Sequence, residues 1–218
     1  MDKAVLRQRL QSIGDSASES LGAIHEAREI GISASRKAIQ FASRAIRAAH
    51  RGEFEESAKL VDEARQVIGS AVQQIESQPS IRHSGFMLDG EKEYAEAAIT
   101  LSFISGGELP TPDSLGIGAA AYLNGLAEAA SELRRSALDA IRSDNTERAD
   151  ELLWLMDEAM SVLATLDFPE GVTGGLRRTT DQLRAVTERT RGDVTAALRQ
   201  SELEGHMKKL QQQLERQL

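Results

Sequence analysis

No stretch of this chain alternates apolar and polar residues with period two over the length of a strand. Apolar residues recur instead at spacings of three and four, through long runs separated by a few Gly and Pro interruptions. That pattern restricts the chain to helices. The apolar residues lean on Ala and Leu while aromatics are only 4% of the 218 residues, a mix that favours helix over sheet. The expectation is an all-α chain, folded as a single domain over residues 1–218.

The strongest interruption is Ser105-Gly106-Gly107-Glu108-Leu109-Pro110-Thr111-Pro112-Asp113-Ser114, where paired Gly and two Pro cannot sit inside a helix. A second runs from Asp167-Phe168-Pro169-Glu170-Gly171 to Gly174-Gly175. Softer breaks fall near Gly14-Asp15, Arg51-Gly52-Glu53, Gln78-Pro79-Ser80 and Ser143-Asp144-Asn145-Thr146. They predict helices over 2–13, 16–51, 54–77, 84–104, 113–143, 146–165 and 172–216, a bundle of about seven. Asp15 and Ser16, Asp113, and Thr146 with Glu147 and Asp150 read as helix openings. At the C-terminus, about 203–218, Leu203, Met207, Leu210, Leu214 and Leu218 form a narrow amphipathic stripe. It reads either as a coiled-coil contact with another subunit or as packing along its own bundle.

The chain has no Cys, which excludes a disulfide framework, a thiolate zinc site and a cysteine nucleophile. No run reaches the roughly 18 to 20 apolar residues of a membrane span, and the N-terminus lacks the apolar core of a secretory signal, so the expected compartment is the cytoplasm. A net charge of -8 argues against indiscriminate nucleic-acid binding and confines any polyanion site to a local patch. There is no GxSxG, Walker loop or GxGxxG, and His25, His50, His83 and His206 are scattered without metal-ligand spacing.

One such patch is present. Between Gly31 and Arg51 there is no acidic residue, while Arg36, Lys37, Arg44, Arg47 and Arg51 fall in one sector of roughly 100°. Ile32, Ile39, Ala42, Ile46 and Ala49 lie on the other side. Stacked cations repel unless an anion neutralises them, and a phosphate backbone does so while releasing counterions. A solvated face, or pairing with acids of a neighbouring helix or subunit, is the other reading. Phe41 is the only ring nearby, so recognition would rest on phosphates and 2'-hydroxyls with little base stacking.

Two carboxylate pairs complete the chemistry. Glu93 and Glu96 lie three apart beside an apolar surface, and Glu128 and Glu132 lie four apart, opposite the stripe Tyr122, Leu126, Ala130, Leu133, Ala137 and Ile141. Like charges at these spacings repel, and a hard divalent cation on carboxylate oxygens relieves them. Antiparallel helices joined by the 110–112 turn would bring all four together as a Mg²⁺ or Mn²⁺ site. Ordinary surface decoration is the competing explanation.

Ordered blocks carry a family resemblance: Gly85-Phe86 with Glu93-Tyr94-Ala95-Glu96-Ala97; Leu109-Pro110-Thr111-Pro112; Tyr122-Leu123-x-Gly125 leading into Glu132-Leu133-Arg134-Arg135; and Leu176-Arg177-Arg178 with Asp181, Arg184 and Glu188-Arg189-Thr190-Arg191-Gly192. Over most of its length the chain resembles the translin family, which comprises translin, its partner Trax and archaeal homologues. The resemblance implies an all-α fold of about seven helices, assembled into a closed hollow homo-oligomer, commonly an octamer, that holds single-stranded or structured RNA and sometimes DNA. Trax-like chains also cleave, with catalytic acids in a Glu-Tyr-x-Glu-Ala element and an acidic-x-x-x-Glu-Leu element, matched here by Glu93, Glu96, Glu128 and Glu132. On this resemblance the chain looks like a Trax-like, Mg²⁺- or Mn²⁺-dependent endoribonuclease acting on single-stranded RNA. A non-catalytic RNA- or DNA-binding shell is the alternative. One departure is Glu128, which stands where the family pattern has Asp and is one methylene longer.

Overall fold

The computed structural model describes residues 2–216, which contain nine helices and no strand. Six are long: α1 (Lys3–His50), α2 (Phe54–Gln74), α4 (Gly85–Ser105), α6 (Ala119–Arg142), α7 (Thr146–Leu163) and α9 (Leu176–Glu215). Three are single turns: α3 (Pro79–Arg82), α5 (Pro112–Leu115) and α8 (Glu170–Thr173).

The expected break at Gly14-Asp15 is absent, and the first two expected helices are one 48-residue helix. An isolated Gly costs a helix only about 1 kcal/mol, and no Pro enforces a stop. Asp2, not Asp15 or Ser16, is the N-cap, accepting from the Ala4 amide at 2.9 Å. The central turn is also divided differently. Thr111 rather than Asp113 caps α5, in a reciprocal capping box with Ser114, and left-handed Gly116 ends that turn before α6 begins. Asn145 caps α7, so Thr146 is its first residue and not its cap. Gly174 and Gly175, both at positive φ, separate α8 from α9.

α4 and α6 pack against each other in the middle of the bundle, with α1 and α2 against α4 and with α7 and α9 against α6. α4 is surrounded so completely that residues 94–100 are all buried. Two glycines set its spacing. A Cβ on Gly90 would lie 3.1 Å from the Ser35 Cα of α1, and one on Gly125 of α6 would lie 2.8 Å from both the Lys92 carbonyl and the Ala95 Cβ of α4. The core of α1 is correspondingly fine-grained: Ala34, Ala38, Ala42, Ala45, Ala48 and Ala49 are buried, whereas Ile32, Ile39 and Ile46 sit at its margins. The Arg148 guanidinium donates to the carbonyls of Phe103 and Ile104, tying α7 to the C-terminal end of α4.

Two helical arms leave this body. Val5, Leu10, Ile13 and Leu21 of α1, and Leu203, Met207, Leu210 and Leu214 of α9, are all exposed. The C-terminal stripe therefore does not pack along its own bundle, and Leu218 lies outside the described residues. No helix among the described residues is long and apolar enough to cross a membrane.

Candidate functional site

Because Gly125 lets α6 come within backbone contact of Lys92, Ala95 and Glu96, acids one turn along on each helix face one another. Glu93 and Glu96 of α4 and Glu128 of α6 each present a carboxylate oxygen within 4.8 Å of the other two. Glu96 is 92% buried, its relative exposure being 8%. No hydrogen bond to its carboxyl is made among the described residues. Burial, and then the negative charges of Glu93, Glu128 and Glu132, push its pKa up to about 9. A buried acid without a partner among like charges is electrostatically incomplete.

Glu132 borders this group without joining it. His50 of α1 donates from Nε2 to Glu132 Oε2 at 2.9 Å, and its Nδ1 lies 3.1 Å from Ser136 Oγ. The hydrogen bond from His50, aided by Arg135, holds the Glu132 carboxyl below its usual range against the opposing effect of burial. The structure thus brings together three of the four expected acids and holds the fourth alongside.

One cation is already inside the group. Lys92 Nζ lies 2.8 Å from both Glu128 oxygens and 3.2 Å from Glu93 Oε1. Burial works against its charge, but Glu128 and Glu93 outweigh it and raise the Lys92 pKa. An all-carboxylate donor set suits a hard divalent ion such as Mg²⁺ or Mn²⁺, and the unpartnered Glu96 is the donor with most to gain from one.

The acids open on two cavities. One, of about 250 Å³, is lined by Ser43, Arg47 and His50 of α1 with Glu93, Glu96, Glu132 and Arg135. The other, of about 480 Å³, lies toward α9 and is lined by Glu96, Glu128, Ser131 and Glu132 with Thr179, Gln182 and Arg189. Each therefore combines carboxylates with at least one guanidinium at its wall.

The basic stripe divides. Arg36, Lys37, Arg44, Arg47 and Arg51 are all exposed as the wheel requires. Arg47, whose guanidinium donates to Ser43 Oγ at 2.7 Å, borders the acids. Lys37 instead lines a groove against Glu63 and Gln66 of α2, Arg44 lies 4.0 Å from Glu56, and Arg51 forks onto Glu53 at 2.5 and 2.9 Å. Pairing with acids next to or across from the stripe thus holds for Arg44 and Arg51.

Sequence reasoning assigned no role to Lys92, Arg135 or Arg189, although all three stand inside or beside the quoted motifs. His50 has no metal-ligand spacing in the sequence, and it stands 82 positions from Glu132, so no local pattern pairs them. Asn124 was also passed over. Its buried amide donates to the carbonyls of Ala120 and Thr173, and its oxygen accepts from the Thr179 hydroxyl at 2.8 Å, fixing the start of α9 beside the site.

No family model matches the chain. Among curated proteins it is similar to the uncharacterized protein MJ0175 of Methanocaldococcus jannaschii, 28% identical over 128 residues, 58% of this chain and 57% of that one. The match thus spans little more than half the length of that relative. Among solved structures, AfC3PO in complex with duplex RNA aligns at a TM-score of 0.76 and 28% identity, covering 84% of this chain and 95% of that one. AfC3PO alone gives 0.76 and 27% over the same shares. Apo-NeC3PO, at 17% identity, gives 0.75 over 84% of this chain and 96% of that one and speaks to the fold.

Proposed function

We propose, for a chain that has the all-α translin–Trax fold of the C3PO structures, that it is an RNA-binding protein and a Trax-like, divalent-cation-dependent endoribonuclease acting as a homo-oligomer. The observation that carries this reading is the buried, unpartnered Glu96 among the oxygens of Glu93 and Glu128. RNA binding and assembly draw further support from the likeness to AfC3PO, whose RNA complex holds a duplex. For this chain we propose single-stranded RNA as the cleaved form, with single-stranded DNA as a further ligand and an octamer as the assembly.

Glu93, Glu96 and Glu128 would hold the ion. When bound, Mg²⁺ or Mn²⁺ supplies Lewis acidity at a phosphate oxygen and a lowered pKa for water, the chemistry of phosphodiester hydrolysis to a 5'-phosphate and a 3'-hydroxyl. Glu132, kept ionised and oriented by His50, supplies a carboxylate next to the ligands, suited to orienting an attacking water or serving as a fourth ligand. Arg47 and Arg135 on one side, and Arg189 on the other, would draw phosphates toward a group of acids that would otherwise repel them. The exposed stripe of Leu203, Met207, Leu210 and Leu214 suits a helix of another subunit.

The test is incubation of purified full-length protein with labelled single-stranded RNA under Mg²⁺, Mn²⁺ or chelator. Metal-dependent fragments that vanish in Glu96→Ala, while filter retention of RNA persists, are the expected result. Intact RNA under every condition, with retention unchanged, supports the second reading of a binding shell, which the Lys92 ion pairs favour because they already neutralise part of the acidic charge.

A further inference from the structure

Among the residues of the central cluster, Lys92 is the one whose position the proposed reaction leaves unexplained. It lies on α4 immediately before Glu93, yet its side chain is only partly exposed. It reaches across to α6, contacts both oxygens of Glu128 at 2.8 Å and keeps Glu93 at 3.2 Å. Its side chain is 24% exposed, against 54% for Arg51 in an ordinary surface pair on the same protein. A lysine that gives up hydration to sit between two acids gains by it only because those acids are held together by the helix contact at Gly125.

The length of Glu128 matters here. Its carboxylate lies both on Lys92 and within 4.8 Å of the Glu93 and Glu96 oxygens, so one side chain serves the ammonium and the acidic cluster together. Glu93 is shared in the same way. Of these three acids only Glu96 makes no ion pair with the ammonium.

We infer that Lys92 is a built-in counter-charge, a positioning residue that holds Glu93 and Glu128 in place before an ion arrives and must surrender both carboxylates to a divalent cation. The inference rests on the reading of Glu93, Glu96 and Glu128 as cation ligands. Loading is then an exchange of one cation for another. It makes the site tolerant of metal-free folding and weakens its hold on the ion, in the manner of any competing charge at contact distance.

The full-length protein is titrated with Mn²⁺ by calorimetry and melted with and without chelator, as wild type, Lys92→Met, Lys92→Gln, Lys92→Arg and Glu96→Gln. Lys92→Met is expected to bind Mn²⁺ about tenfold more tightly than wild type, to melt lower in chelator and to gain more Tm on adding Mn²⁺. Lys92→Arg, which keeps the charge, should behave as wild type, and Glu96→Gln should abolish the binding heat. Lys92→Gln repeats the comparison should the Met variant lose its helical circular dichroism. Mn²⁺ affinity in the charge-free variants equal to or weaker than that of a binding wild type overturns the exchange and leaves the metal site standing. Absence of binding in wild type and Lys92 variants alike overturns the metal site and the exchange with it. Binding that emerges only when Lys92 is removed supports both.

Discussion

The centre of the bundle and its two arms break the usual placement of residues in opposite senses. At the α4–α6 contact a carboxylate is buried among other carboxylates, whereas at both ends leucines stand in water along a helical stripe. The first costs desolvation and repulsion; the second forgoes hydrophobic gain. Lys92 offsets the first only in part, and nothing among the described residues offsets the second. On the proposed reading a divalent cation would resolve the charge and an apolar helix of another subunit would cover the leucines, so a single sequence encodes two different kinds of incompleteness. Their packing differs as well. Close backbone approach at Gly90 and Gly125 locks the acids in register, while the apolar stripes of the arms stay exposed among the described residues.

The buried acid at the centre should respond most strongly to substitution. Glu96→Gln keeps the shape but cannot ionise onto a metal, and it should lower metal-dependent RNA cleavage at least about a hundredfold with Tm unchanged or raised. A cleavage rate within severalfold of wild type in a single-turnover assay would separate the buried acid from catalysis. At the arms, Leu210→Glu with Leu214→Glu should reduce the particle mass in light scattering. The helical fold of the body should persist, because exposed substitutions cost a chain only about 0.5 kcal/mol or less. An unchanged mass would detach the stripe from assembly.

Gly125→Ala probes what holds the acids together. The added methyl would meet the Lys92 carbonyl and the Ala95 Cβ at 2.8 Å, so a loss of about 1–3 kcal/mol in chemical denaturation is expected, together with weaker Mn²⁺ binding. The same methyl at Gly22 in the arm meets nothing within 4 Å and should leave stability equal or slightly higher.

Titration gives a smaller effect with a definite sign. Glu96 is raised from 4.5 to about 9 in the folded chain, so the folded state binds its proton more tightly than the unfolded state. The associated stability is fully present below about pH 4.5 and is lost as pH rises toward 9. Metal-free Tm should therefore fall across that interval. Glu91, whose pKa burial also raises despite Arg82 at 2.7 Å, adds to the slope with the same sign. The difference between wild type and Glu96→Gln isolates the Glu96 contribution, and a wild-type slope no steeper than that of the variant would place Glu96 in a more solvated setting. The smallest expected effect divides the basic stripe: Arg47→Glu should weaken RNA retention and its salt dependence more than Arg44→Glu, as read by filter binding across a salt series.

Much of this was legible in the residues. The helical class follows from periodicity, the main interruptions from Pro and paired Gly, and the acids of the site from their spacing within the family blocks. Boundaries failed where a residue only permits a break, as at Gly14, or where a cap depends on side-chain orientation, as at Thr111 and Asp113. The basic face was placed outward correctly, but periodicity could not say which of its cations meet the acids of α2 and which meet the candidate site.

By itself the sequence determined which faces of which helices carry charge and which carry small apolar residues, because those depend on intervals of three and four along one backbone. Only the tertiary structure decided that Glu128 joins Glu93 and Glu96 while Glu132 turns to His50, and that Lys92 occupies the space between two of the acids. Those outcomes depend on how near two helices pass and in what register. That distance is fixed by the fit of Gly125 against α4, a relation between residues some thirty positions apart that no local spacing contains.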